Sequence, residues 1–523
     1  MHPGLHAATD PDKPAVIMAG SGETISYAQL EAEANQVSRM LRAAGLAPGD
    51  HVAWCLENHR NFLPLVWGAH YAGVIYTPIS SRLTSDEIAY IVDNSGARAY
   101  ITSQHKADQS AEVLDRISGV GLRLMMDGAV DGYESYEQAL AAASTEPLAN
   151  RTAGRDMLYS SGTTGRPKGV LVSHEAYDAQ EAVSVGEEWS PVAELSVLLL
   201  GMSQESVYLT PAPLYHAAPL RFTKAVHEIG ATSVVMERFD AEQFLAAIER
   251  YGVTHTQVVP TMFVRMLKLP EEQRLRHDLS SLSCVLHAAA PCPVQAKHRM
   301  IEWLGPIISE YYAGTEGNGF AFCDSQQWLA HEGTVGAPIA CEVHIVDEAT
   351  GAEVPAGVEG TVYFSSGGTF EYHRDEEKTR NSRLANGWST LGDVGRVDSD
   401  GFLYLTDRKA HMIICGGVNV YPQEAENLLT MHPSVIDAAV IGVPDDDLGE
   451  APKAVVQPVR MPADEAAAAD LERRLIDYCR AGLAAVKCPR SVDFRSELPR
   501  HDTGKLYKRL LRDEYWQDQD RRI

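Results

Sequence analysis

The 523-residue sequence is short of several things, and each shortage excludes a class of protein. Its 8 cysteines are scattered and form no C-x-x-C pair. Cys284 and Cys292 stand closest, without a metal-ligand spacing. A cysteine-built zinc site and a disulfide framework are therefore excluded. The thiols read as small apolar residues in a reducing cytoplasm. No apolar run reaches the roughly 18 residues that a membrane-spanning helix needs. The opening Met1-His-Pro-Gly-Leu-His has neither the basic start nor the apolar stretch of a secretory signal. Positive charge is also scarce: 45 Lys and Arg face 71 Asp and Glu, a formal net charge of −26. Nucleic acid is disfavoured as a partner, because surfaces that bind it are basic. Any anionic ligand must be held by local cations and backbone N–H groups, against the overall field.

The hydrophobic share of 45% is ordinary for a globular protein, and the length calls for at least two domains. His51-Val-Ala-Trp-Cys55 and Thr232-Ser-Val-Val-Met236 read as strands. Asp240 caps a helix that carries Phe244 and Ile248 one turn apart and stops at Gly252. Thr254 to Val259 returns to a strand. This repetition predicts an α/β architecture with mixed, partly parallel sheets. Residues 359–364 and 401–405 read as strands of a small β-rich subdomain. The texture changes after Asp407-Arg408-Lys409: Pro422 opens a helix reaching about Met431, and Val435–Val443 and Lys453–Val459 are strands. The Ala-rich run from Ala463 is helical, since Leu471, Leu475 and Tyr478 continue it at helical spacing. The predicted division is 1–408 for a large domain and 409–523 for a small, mobile α+β domain. There are no internal repeats.

The most informative stretch is Tyr159-Ser-Ser-Gly-Thr-Thr-Gly-Arg-Pro-Lys-Gly-Val170. Glycines allow a tight turn with exposed N–H groups, hydroxyls add short donors, and Lys168 adds a mobile cation. Together they describe a polyphosphate cradle. It is not the G-x-x-x-x-G-K-[ST] loop, because Arg-Pro follows Gly165 and Gly169 follows Lys168. The C-terminal stretch from Lys487 holds Arg490, Arg495, Arg500, Lys505, Lys508, Arg509 and Arg512, a local reversal of the acidic field.

The segment Ser160–Gly169 resembles, at every position, the [ST]-[ST]-G-[ST]-T-G-x-P-K-G loop of the adenylate-forming enzymes: acyl-CoA synthetases, luciferases and peptide-synthetase adenylation domains. Four further matches follow in that family's order and extend the resemblance over nearly the whole chain. It implies that Ser160, Ser161, Gly162, Thr163, Thr164, Gly165 and Lys168 cradle the phosphates of ATP. Tyr312-Ala313-Gly314-Thr315-Glu316 resembles Y-G-x-T-E, with Ala313 where glycine is usual. Tyr312 would stack on adenine, Thr315 would bond phosphate, and Thr163 and Glu316 would hold Mg²⁺. That ion prefers one or two carboxylates with phosphate oxygens and water. Asp393, in a T-G-D motif stretched by Leu391, would clamp the ribose, with Arg408 beside it. Gly416-Gly417 would line a passage for the pantetheine arm of coenzyme A. Ala410 stands at the hinge position, where the family usually has Asp or Lys. Pro499 to Lys505 resembles P-R-x-x-x-G-K, and Lys505 would reach the α-phosphate and the attacking carboxylate. Negative charge builds there in the transition state, and removing one such stabiliser costs roughly 10²–10³ in rate.

For the acid pocket the resemblance points to His216, in Pro211-Ala-Pro-Leu-Tyr-His216, beside the reacting carboxylate. Val259, Thr261, His287, Ala288, Ala289, Ala290 and Gly314 would form the walls. Ala288 and Ala289 replace glycines, and the added methyl groups narrow or redirect the pocket. The expected enzyme is an AMP-forming acyl-CoA synthetase with Lys505, His216 and Lys168 as its catalytic residues. ATP, Mg²⁺ and coenzyme A are implied as cofactors and co-substrates. Its acid would be a medium- or long-chain aliphatic one, and a homodimer is the assembly carried forward. Two rivals stay open. An acyl-adenylate could be passed to a separate carrier protein, or the chain could be a non-catalytic nucleotide or acyl sensor. Intact Lys168, Glu316 and Lys505 count against the sensor, which has no use for a transition-state lysine.

Overall fold

The computed structural model describes residues 1–160, 167–173, 185–186, 188–416, 418–445, 447–500 and 506–516, without the Lys409 side chain. Among these, no helix is long and apolar enough to cross a membrane.

Local chemistry sets the element ends. The Asp240 carboxylate accepts from the Glu242 and Gln243 N–H groups and starts the helix Ala241–Tyr251. Such a cap is worth about 1 kcal/mol. Phe244 and Ile248 are buried, and Gly252 ends the helix at φ +59°. The strands Thr232–Val235 and His255–Val258 that flank it are buried at every residue. That is the pattern of a parallel sheet covered on both faces. The strand expected from residue 401 starts two residues later, at Leu403–Arg408. Gly401 adopts φ +89°, and the Asp398 carboxylate accepts from the Asp400 and Phe402 N–H groups, so a turn occupies the first positions.

A nine-stranded sheet organises the large domain. Val207–Thr210, His255–Val258, Cys284–His287 and Ile308–Ala313 lie side by side and parallel. Phe320–Cys323 then runs antiparallel to Ile308–Ala313. Strand direction therefore reverses at one edge of the parallel block. A second, six-stranded parallel sheet contains His51–Cys55 and Ile75–Ile79. Two smaller antiparallel sheets follow: one pairs Lys168–Ser173 with Thr369–Tyr372, the other pairs Asp393–Val397 with Leu403–Arg408.

The register of the parallel block assigns its two faces. Val258, His287 and Glu310 are neighbours on one face, and Gln257 and Leu286 on the other. The first face packs on helices Pro260–Leu267 and Val294–Leu304, and the second on Pro191–Leu200 and Ala217–Ile229. Period-two alternation makes this segregation unavoidable.

The last section is a separate α+β unit. Val435–Asp445 and Gly449–Pro458 form a long antiparallel pair, covered by Gln423–Met431 and Glu465–Gly482. The helix Gln423–Met431 is held at both ends by residues outside this unit's sheet. Asp407 accepts from the Gln423 N–H at 3.2 Å, and Lys268 Nζ donates to the Thr430 carbonyl at 2.8 Å. An anion at the N-terminus and a cation at the C-terminus both oppose the helix dipole.

Candidate active site

The carboxyl ends of the parallel strands open into a cleft of about 3180 Å³. Strand reversal beside Ile308–Ala313 puts it where an open α/β sheet usually binds its ligand. Its walls come from every sheet except the outermost strands of the small domain.

On one side Asp393 and Arg408 are directly paired across two antiparallel strands. Arg408 Nε donates to Asp393 Oδ1 at 3.0 Å, and Tyr312 Oη donates to Oδ2. Burial and the adjoining Asp393 push the Tyr312 hydroxyl well above the usual tyrosine range, so it remains a donor. Arg408 is held more strongly charged, by Asp393 first. This gives a buried carboxylate, a planar cation and an aromatic face within one hydrogen-bonded group. Such a set suits a ribose and its base.

Glu316 lies close by and is buried; its Oε1 accepts from Tyr372 Oη at 3.0 Å. One carboxylate would supply a Mg²⁺ ion with a single protein oxygen, leaving phosphate and water to complete its shell. The loop before it is tight. A Cβ on Gly314 would come 2.4 Å from Leu391 Cδ1, the residue inserted in the stretched T-G-D motif. Below, Arg221 donates to the Thr315 carbonyl at 3.2 Å and to Asp156 at 2.7 Å. Burial opposes the charge on Asp156, but Arg221 outweighs it and holds the carboxyl below its usual range.

Lys168 starts the strand that pairs with Thr369–Tyr372, and its ammonium lies 3.4 Å from Asp375. A second cation, Lys378, also lines the cleft. Burial and then repulsion from Lys168 push its pKa below the ordinary lysine value. Two crowded lysines beside Glu316 form a focus of positive charge in an acidic protein. Lys378, Asp375, Tyr372 and Arg221 were missed by motif reasoning. None lies within one of the recognised motifs, and only the tertiary fold brings them beside the cleft.

His216 precedes the helix Ala217–Ile229, and its ring meets Tyr215 edge-on at 4.6 Å. Together with Val259, Thr261, Ala288, Ala289 and Ala290 it lines the cleft, as do Ser160, Ala313 and Gly314. Ala289 adopts φ +76°, a left-handed backbone that penalises a Cβ. His287 departs from expectation. It is wholly buried on the opposite face of the sheet, against Phe263, and does not line the cleft. The same alternation that brings Ala288 to the cleft turns His287 away. Its Nε2 lies 3.4 Å from Glu310, too poorly aimed for a hydrogen bond, while Lys297 pairs with that carboxylate at 2.5 Å. Burial first, and Lys297 next, keep the His287 ring neutral. Gly416 forms a turn at φ +57° and does not line the cleft in this arrangement of the two units. Ser161, Gly162, Thr163, Thr164, Gly165, Gly417 and Lys505 lie outside the described residues.

Two family models match this chain: the AMP-binding enzyme model over residues 5–372, and the AMP-binding enzyme C-terminal domain over 424–505. The chain belongs to the AMP-binding enzyme family. The matches bracket the strands that carry Asp393 and Arg408. Among members of the family, the chain is 30% identical over 534 residues to the fatty acid–[acyl-carrier-protein] ligase ScoC of Streptomyces coeruleorubidus, covering 99% of this chain and 96% of the relative. It is 31% identical to the long-chain-fatty-acid–CoA ligase FadD13 of Mycobacterium tuberculosis, covering 97% of each. Its fold superposes on the anthranilate CoA ligase AuaEII in complex with anthranoyl-AMP with a TM-score of 0.82 at 27% identity, covering 98% of this chain and 97% of that one. This member of the AMP-binding enzyme family is thus an AMP-forming acid–thiol ligase that works through an acyl-adenylate.

Proposed function

We propose that this enzyme activates a medium- or long-chain aliphatic carboxylic acid with ATP and transfers the acyl group to coenzyme A. The observation that carries the reading is the convergence on one cleft of Tyr312, Asp393 and Arg408 with Lys168, Glu316 and His216. They fit the base and sugar, the phosphates and the acid in that order. Apolar lining by Val192, Leu195, Ala218 and Phe222 beyond His216 favours a hydrocarbon chain. Two of the relatives named above are ligases of fatty acids.

In the first half-reaction a carboxylate oxygen attacks the α-phosphorus and pyrophosphate leaves. Lys168 and Lys378 neutralise the phosphates, and Asp393 with Arg408 fixes the sugar so that the phosphorus stays in place. Orientation of this kind supplies a large part of a two-substrate barrier. Mg²⁺, bound at Glu316, would polarise the phosphate oxygens. Lys505 would stabilise the charge that builds on the pentavalent phosphorus. In the second half-reaction the thiol attacks the acyl carbonyl, and AMP leaves. The small unit would turn to present the Gly416-Gly417 face to the pantetheine arm. The Gly416-Gly417 pair supports coenzyme A over a carrier protein.

The test is AMP release from ATP with a panel of carboxylic acids, with and without coenzyme A. Coenzyme A-dependent turnover is expected. Pyrophosphate release that ignores coenzyme A but responds to an acyl-carrier protein would favour the carrier-protein reading. Lys505→Ala should abolish adenylation while sparing thioester formation from a supplied acyl-adenylate, and equal loss of both steps would refute that division of labour.

A further inference from the structure

One cation on the cleft wall has no role in the chemistry above. Lys224 lies on the helix Ala217–Ile229, eight residues beyond His216, hence about 12 Å farther along the helix axis. It lines the cleft, together with His70, Asp156, Arg221 and Glu228. Arg221 and Asp156 satisfy each other at 2.7 Å. Glu228 accepts from the Ser190 N–H at 2.8 Å. Among the described residues, no carboxylate forms an ion pair with Lys224.

The Lys224 ammonium lies 3.4 Å from His70 Nδ1. That nitrogen is also 2.7 Å from the Gly154 carbonyl. A contact so short to a carbonyl oxygen requires the proton on Nδ1, so it has no lone pair for Lys224. The imidazole stays neutral, because burial and then Lys224 hold its pKa well below the usual histidine value. Its Nε2 is left as an acceptor. The Trp67 ring lies 5.1 Å below the ammonium and offers only a weak cation–π contact. Among the described residues, Lys224 is therefore a donor that faces the cleft without a protein acceptor. A cation removed from water in this way needs a partner.

We infer that Lys224 anchors the far end of the acid, through a hydroxyl or ketone oxygen carried on its chain. The inference rests on the ligase reading, which puts the reacting carboxylate at His216. An uncharged oxygen is favoured over a second carboxylate by the charge count. Arg221 and Lys224 are balanced by Asp156 and Glu228. A further anion would leave the group net negative in a poorly solvated place, whereas a neutral oxygen takes the vacant donor at no such cost. The apolar walls before Lys224 accommodate the chain between its two ends. This refines the expected fatty acid into an oxygenated one.

The experiment compares decanoic acid, its ω-hydroxy and (ω−1)-oxo counterparts, and the matching dicarboxylic acid, by coenzyme A-dependent AMP release. In the unaltered enzyme the hydroxy and oxo acids should exceed decanoic acid in kcat/KM by about tenfold, the scale of one hydrogen bond to a charged donor. The ratio should fall to near unity in Lys224→Met, mainly through KM, and be partly kept in Lys224→Arg. ATP binding by each variant reports that the fold is intact. No preference in the unaltered enzyme, or a ratio untouched by Lys224→Met, overturns the inference. A preference for the dicarboxylic acid overturns the uncharged-oxygen assignment. AMP release with none of the acids is a different failure, that of the ligase reading itself.

Discussion

Arg408 donates to Asp393 across 3.0 Å, and the two residues are direct partners in one antiparallel ladder. The pair proposed above as a nucleotide clamp is thus fixed by backbone register. Asp393→Ala leaves Arg408 buried without its carboxylate and removes the acceptor of Tyr312. A loss of about 10²-fold in ATP affinity is expected, since breaking a buried pair costs several kcal/mol. Calorimetric titration with ATP checks this, and an unchanged affinity would remove Asp393 from the sugar site.

Lys378 separates stability from function. Burial, and next crowding by Lys168, depress its pKa, so the unfolded chain holds that proton more tightly. Below the ordinary lysine value its charge therefore opposes folding. Lys378→Ala should leave the thermal midpoint of the ligand-free protein level or slightly raised. The KM for ATP should rise about tenfold, as a charge-assisted contact to phosphate is lost. A lowered midpoint with an unchanged KM would mark Lys378 as structural only.

Ala289 stands in the left-handed region at φ +76°. Ala289→Gly removes that strain and should stabilise the large domain by about 1 kcal/mol, measured by denaturant unfolding. It also deletes a methyl group from the cleft wall, so bulkier acids should gain kcat/KM relative to slender ones. Destabilisation would mean that the flexibility added to the unfolded chain outweighs the relief.

Lys268 ties the large domain to the small one and carries a pH signature. Burial pushes its pKa down from 10.5 to about 8, with Asp437 pulling the other way. A depressed lysine pKa means that the unfolded state binds the proton more tightly. Global stability therefore rises with pH between about 8 and 10.5. The contacts to the Thr430 and Val435 carbonyls lose their charge assistance and weaken over the same window. Between pH 7 and pH 9, near the lysine's lowered pKa, the thermal midpoint and the proteolytic sensitivity of residues 409–421 should rise together. Lys268→Met should be as sensitive at pH 7 as the parent is at pH 9, and insensitivity to both changes would dismiss the tether.

Much of this architecture was legible in sequence, for reasons that differ by region. Asp240, Gly252 and the apolar run 255–258 act locally, so caps and periods revealed the helix and its flanking strand. Ser160–Gly169, Tyr312–Glu316 and Asp393 carry short motifs that the family resemblance reads as nucleotide contacts. His287 was misplaced because a motif gives a neighbourhood, whereas the pleat decides which side chain faces the cleft. Lys378, Arg221 and Lys224 were silent because their relevance arises from pairings distant in sequence. The buried pair Lys297–Glu310 was hidden for the same reason: a helix residue and a strand residue meet only once the helix is docked.

The pairing of Val170 with Tyr372 joins positions about two hundred residues apart in the chain. Lys168 leaves the ribosome long before the strand that seats it. A nascent chain ending before Thr369 has Lys168 but lacks one of the two strands paired with its own, and on the proposed reading should bind ATP weakly. On that reading, nucleotide would aid maturation only late in synthesis.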